Sequence, residues 1–163
     1  MKTLILILSI VTFGLPQFQV ADSGLEIYQV KKPYSDFINK DKPECYNCLD
    51  IKTEDLFDKP LLTENDFRKF DWTNQQIELT EKARQKLKDL EIPLQGLPVA
   101  MVLNGELIYG FWFWNVFSSF GCDRVYTYPT LDFKIEFGLP KSNTFGSDPR
   151  FDKRIKKYLN EKK

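Results

Sequence analysis

The sequence contains no histidine. That absence removes the Ser-His-Asp and Cys-His routes to an activated nucleophile. It also removes the ordinary zinc ligand sets and the commonest general base at neutral pH. Net charge is absent too: 23 Lys and Arg residues balance 23 Asp and Glu residues, and both signs are mixed along the chain. Nucleic acid binding needs a concentrated basic surface, so this balance argues against it. Only the tail is locally biased, through Arg150, Lys153, Arg154, Lys156, Lys157, Lys162 and Lys163, and such a run reads as the solvated face of a helix. Neither internal repeats nor low-complexity segments break the chain.

Long apolar runs are also missing, with one exception at the start. Met1-Lys2-Thr3 carries a positive charge, the apolar run from Leu4 to Leu15 follows, and Pro16 breaks it. That order is the order of a secretory signal peptide, and the run is too short for a bilayer span, which takes about 20 apolar residues. Small residues at Ala21 and Ser23 place cleavage after Ser23. The expected organisation is therefore a signal peptide over residues 1–23 and one globular domain over residues 24–163. Export implies an oxidising, periplasmic or extracellular setting in which disulfides persist. With no cysteine beside the cleavage point, lipid attachment there is excluded, and no membrane span is expected after cleavage.

Alternation of apolar and polar side chains predicts a strand over Leu25–Val30. Residues 31–58 form a polar, irregular excursion. Thr63-Glu64-Asn65-Asp66 carries a helix-start signature, with Phe67 and Phe70 placed to face one side of a short helix. Residues 75–79 read as a strand, Thr80 as the cap of a helix over residues 81–90, and residues 98–103 as an apolar strand. Asn104-Gly105 favours a type I′ turn and returns the chain antiparallel through Trp114. Two further strands are expected over residues 124–128 and 132–137, and a short closing helix over residues 151–159. Strands and helices without a regular βαβ rhythm predict an α+β fold. Its core is a strand–helix–β-hairpin unit in a mainly antiparallel sheet, with helices on one face.

Several motifs resemble those of a group of exported bacterial proteins of unknown function. They are Leu25-Glu26-Ile27-Tyr28, Phe70-Asp71-Trp72, Gly96-Leu97-Pro98, Asn104 to Gly110, and above all Phe113-Trp114 followed by Ser118-Ser119 and Cys122. Phe137-Gly138-Leu139-Pro140 and Ser147-Asp148-Pro149-Arg150 extend the resemblance over most of the chain. Many members of that group look like lipoproteins, and this chain departs from them by lacking the attachment cysteine. Residues 75–113 are also similar, at the level of fold alone, to the first periplasmic head domain of the protein-export subunit SecD. Fold likeness implies neither translocation nor catalysis.

The chemistry-bearing residues divide into three groups. Cys45-Tyr46-Asn47-Cys48 is a CxxC, open to reading as a redox site, one arm of a metal site, or part of a structural disulfide. No histidine is present to complete a metal site, so neither metal nor cofactor is expected. A bridge inside the motif closes a tiny loop, worth about 2 kcal/mol in the chain-entropy relation, whereas a link to Cys122 is worth about 4.5 kcal/mol. The longer link is the expected one, with either Cys45 or Cys48 bound to Cys122 and one thiol left over. In Phe111-Trp112-Phe113-Trp114 the alternation sends the phenylalanines to one face and the tryptophans to the other. One pair belongs to the core beneath the helix. The other lies under the excursion or forms an exposed aromatic platform, which makes Trp112 and Trp114 candidate binding residues. Ser118 and Ser119 follow in the loop from Asn115 to Cys122. Without histidine or an SxxK pattern, turn hydrogen bonding suits them better than nucleophilic attack, and they join the candidate binding residues. The carboxylates Asp71, Glu78, Glu106 and Asp123 stand at no diagnostic spacing. The expectation is a non-catalytic exported module that binds a protein or cell-envelope component. A periplasmic thiol–disulfide protein is the alternative, and carbohydrate binding a weaker one.

Overall fold

The computed structural model describes residues 23–37 and 44–162. The expected signal peptide lies, apart from Ser23, outside the described residues. The fold is α+β and mostly sheet. Strands β1 (Leu25–Gln29), β4 (Leu97–Leu103), β5 (Glu106–Phe113), β6 (Cys122–Thr127) and β7 (Glu136–Leu139) form a sheet in the order β1-β4-β5-β6-β7. Strands β2 (Phe67–Asp71) and β3 (Gln76–Leu79) pair separately, and the helices are α1 (Glu81–Lys88) and α2 (Lys153–Glu161). Every neighbouring pair in the larger sheet is antiparallel except β5 and β6, which run parallel.

The inner strand β4, between β1 and β5, is buried at every position, because both faces of the sheet are covered. Toward one face it sends Leu97, Val99, Met101 and Leu103, which pack with Phe111 and Phe113 against Ala83 and Leu87 of α1 and Ile155 and Tyr158 of α2. The helices thus share one face, as expected. Helix α1 starts where Thr80 accepts a hydrogen bond from the Ala83 N–H at 3.2 Å. Helix α2 starts where Asp152 accepts from the Arg154 N–H at 2.8 Å. Toward the other face, Ala100, Val102, Trp112 and Trp114 meet a second apolar layer built by Val30, Phe37 and Leu56 of the excursion. The predicted hairpin is present, with Asn104 and Gly105 both at positive φ, as a type I′ turn requires.

The expected helix after Thr63 is replaced. Residues Glu64–Asp66 make a single 3-10 turn, and Phe67 enters β2. The capping signature is real, since the Asp66 carboxylate accepts from the Thr63 N–H at 3.0 Å. What imitated a helix is a bulge: the β2–β3 register slips between Phe67 and Lys69, so Phe67 and Phe70, three apart, both reach the core. The strand expected over residues 132–137 is also displaced, to Glu136–Leu139. Before it, Phe133 adopts positive φ, the Ile77 N–H donates to the Phe133 carbonyl at 3.2 Å, and the Ile135 N–H donates to the Gln75 carbonyl at 2.8 Å. This stretch ties the small sheet to the large one.

Candidate functional site

Parallel pairing of β5 and β6 places a demand on the chain between them. After Phe113 it must travel back along the sheet before Cys122 can begin, and residues 114–121 do so without a helix. The crossover is organised by turns. The Asn115 side chain donates to the Ile92 carbonyl at 2.6 Å and accepts from the Phe117 N–H at 2.9 Å. The Ser118 hydroxyl accepts from the Phe120 N–H at 3.2 Å. Ser118 is thus a turn residue and Ser119 an exposed neighbour. The loop lifts its apolar side chains outward: Phe117 is 86% exposed, and Val116 and Phe120 are also exposed.

Opposite the crossover sits the CxxC loop. Asp123, buried at the start of β6, accepts from the Tyr46 N–H at 2.7 Å and from the Asn47 N–H at 2.9 Å. The Asp123 N–H donates to the Asn47 side chain at 3.2 Å, and the Trp112 indole N–H donates to the Asn47 carbonyl at 2.8 Å. Four hydrogen bonds therefore fasten this loop to the sheet, two of them charge-assisted.

The cysteine pairing differs from the expected one. The sulfurs of Cys45 and Cys48 lie at bonding distance, 1.96 Å, and Cys122 is free and buried. The Cys122 thiol faces the Arg124 carbonyl at 3.6 Å, and burial pushes its pKa up to about 12. The join between the excursion and β6 is made by the neighbouring carboxylate of Asp123 rather than by sulfur. Cys45 itself is buried in an irregular segment with no helix beginning at it, unlike the low-pKa cysteines that open helices.

The exposed aromatic platform is likewise not there. Trp112 and Trp114 are 0% and 1% exposed. The excursion covers them, with Tyr34 and Phe37 edge-on to Trp112 at 5.7 and 5.9 Å between ring centroids. Leu49 and Ile51 lie over Gly110, where an added Cβ would stand 2.9 Å from each. Burying two indoles and the apolar side chains above them outweighs displaying them.

Between the CxxC loop and the crossover opens a cleft of about 400 Å³. Its lining includes the aromatic residues Tyr34, Tyr46, Trp114 and Phe120, the exposed amide residues Gln95 and Asn143, and Asn47, whose side chain is already engaged by Asp123. Tyr46 stands 70% exposed at its rim. Burial raises the Tyr34 phenol above its ordinary pKa, aided by the Asp123 carboxylate, so it stays protonated at neutral pH. The Trp114 indole N–H is buried with no hydrogen-bond partner among the described residues. Of the four candidate binding residues, Trp114 lines the cleft, Trp112 props up its wall through Asn47, Ser118 shapes the loop beside it and Ser119 is exposed on that loop. Sequence reasoning missed Tyr34, Tyr46, Gln95, Phe120 and Asn143, which are scattered along the chain. The one available signal was Tyr46, an aromatic residue between two cysteines. Among the described residues no group of three or more His, Cys, Asp or Glu side chains could hold a metal ion. No described helix is long and apolar enough to cross a membrane. A comparison with family models, curated proteins and solved structures finds no match for this chain.

Proposed function

We propose that this protein is an exported, non-catalytic binding module that meets a protein or cell-envelope component through the crossover and the adjoining cleft. The observation carrying this reading is the exposure of Val116, Phe117 and Phe120 on the crossover, with Phe120 and the exposed Tyr46 of the fastened CxxC loop both lining the cleft. Exposed apolar side chains grouped beside a cleft are what recognition surfaces present. Pinning of the loop by Asp123 limits the ordering cost of association. The test is a photo-crosslinking side chain placed at position 117 and, as control, at the exposed Lys82 of α1. Cells expressing each form are illuminated and their envelopes examined. A discrete adduct from position 117, absent from position 82 and lost on Phe120→Ser, is expected. Equal labelling from both positions, or none, contradicts the reading.

A second reading, thiol–disulfide exchange, is favoured by one observation: Cys45 and Cys48 pair with each other, leaving Cys48 partly exposed. If it holds, Cys45→Ser abolishes reduction of a small disulfide substrate by the reduced protein. A rate unchanged by that substitution removes it.

A further inference from the structure

We propose that the cleft beside the disulfide loop binds a neutral sugar ring, as a unit of an uncharged glycan; this rests on the binding-module reading and names its ligand class. The volume of about 400 Å³ falls within the range of small-molecule sites. The lining decides the chemistry. Among the described residues that line the cleft there is no Asp, Glu, Lys or Arg side chain. An ionised ligand would lose part of its hydration there and meet no opposite charge on those residues. A wholly apolar ligand would strip water from the exposed amides of Gln95 and Asn143 and return no hydrogen bonds.

A sugar ring satisfies both halves of the lining. Its C–H face is an apolar plate for the rings of Tyr46 and Phe120, which are open at the rim. Its hydroxyls each donate and accept, and a primary amide does the same through its NH2 and carbonyl groups. Among the described residues the Asn143 side chain is held by one long bond of 3.4 Å, donated to the Leu139 carbonyl, and has its side-chain carbonyl to offer. Both walls are set before any ligand arrives, one by the disulfide and the Asp123 carboxylate, the other by the Asn115 turn. Only the rim side chains need to order.

The test is a titration of the full-length, 15N-labelled protein followed by amide and indole N–H resonances. The probes are glucose, galactose, N-acetylglucosamine and their β-linked disaccharides. Glucuronic acid serves as the anionic arm and an uncharged tyrosine-containing tripeptide as the peptide arm. At least one neutral saccharide is expected to shift the Tyr46, Asn47 and Gly121 amides and the Trp114 indole N–H. Tyr46→Ala and Gln95→Ala should each weaken that binding about tenfold, equivalent to about 1.4 kcal/mol, and Lys82→Ala should leave it unchanged. Silence of every saccharide overturns the proposal, as does tighter binding of glucuronate than of glucose. If the tripeptide shifts the cleft while the sugars are silent, the sugar assignment falls and the binding-module reading survives. If every probe is silent and position 117 gives no specific crosslink, both fall.

Discussion

Removing the carboxylate of Asp123 should loosen the excursion from the sheet. Asp123 is buried and accepts two backbone hydrogen bonds, from Tyr46 at 2.7 Å and Asn47 at 2.9 Å. A hydrogen bond to a charged group contributes about 1.5–3 kcal/mol, and a buried N–H left without a partner costs about 1–3 kcal/mol. Relief of the carboxylate's own burial offsets part of that loss. The net destabilisation for Asp123→Ala is therefore about 3 kcal/mol. Asp123→Asn keeps one acceptor but turns its NH2 group toward the other N–H, which places it near half that value, about 1.5 kcal/mol. Urea unfolding followed by tryptophan fluorescence reads the effect directly, since Trp112 donates to the same loop at Asn47. Native-state hydrogen exchange adds a local readout. The Tyr46 and Asn47 amides should exchange about two orders of magnitude faster in Asp123→Ala, the ratio corresponding to about 3 kcal/mol. An alanine variant within about 0.5 kcal/mol of the parent, the range of ordinary surface substitutions, with unchanged exchange at Tyr46 and Asn47, would refute the clamp.

Thiol titration of the unreduced, unfolded protein should find one reactive group, Cys122, rising to three after reduction; in the folded state none should react, because Cys122 is buried and its pKa is pushed up to about 12. Two or more thiols before reduction would contradict the pairing. Trp112→Ala should cost about 3–5 kcal/mol, the range for large aromatic truncations in a core, whereas Phe117→Ser should change stability by no more than about 0.5 kcal/mol; equal effects in calorimetry would undo the assignment of one to the core and the other to the surface. Asp66 carries an acid dependence. Burial works to raise its carboxyl pKa, but the Lys86 ammonium and the N–H and hydroxyl of Thr63 outweigh it and hold the pKa below its ordinary value of 3.8. Its contribution is therefore present in full above about pH 4 and is lost as the pH falls through the lowered folded value. Asp66→Asn should flatten that part of the stability–pH curve, and an unaltered curve would count against the pairing with Lys86.

Local patterns carried the hairpin and the helices, because each rests on signals a few residues long. Asn104-Gly105 supplies two residues that tolerate positive φ, and Thr80 offers a side-chain oxygen one turn ahead of Ala83. Where the period misled, a bulge was responsible: the slip between Phe67 and Lys69 gives a strand the i, i+3 spacing of a helix. The site was hardly legible. Asp123 looks like any other loop-edge carboxylate until the fold brings Tyr46 and Asn47 against it across more than seventy residues. The cleft draws on positions from Tyr34 to Asn143, and no periodicity joins them. The aromatic run did declare its alternation. What it could not declare is which layer covers the tryptophans, because the excursion that does so has little regular pattern of its own.

The excursion hides the tryptophan face, and on the proposed reading recognition falls to the crossover and the Tyr46 cleft. Hydroxyl-radical footprinting read by mass spectrometry tests it on the unliganded protein. Tyr46, Phe117 and Phe120 should label rapidly, while Trp112 and Trp114, intrinsically more reactive but covered, should label only on unfolding. Rapid labelling of either tryptophan in the folded protein would show the aromatic hairpin uncovered and return the binding surface to it.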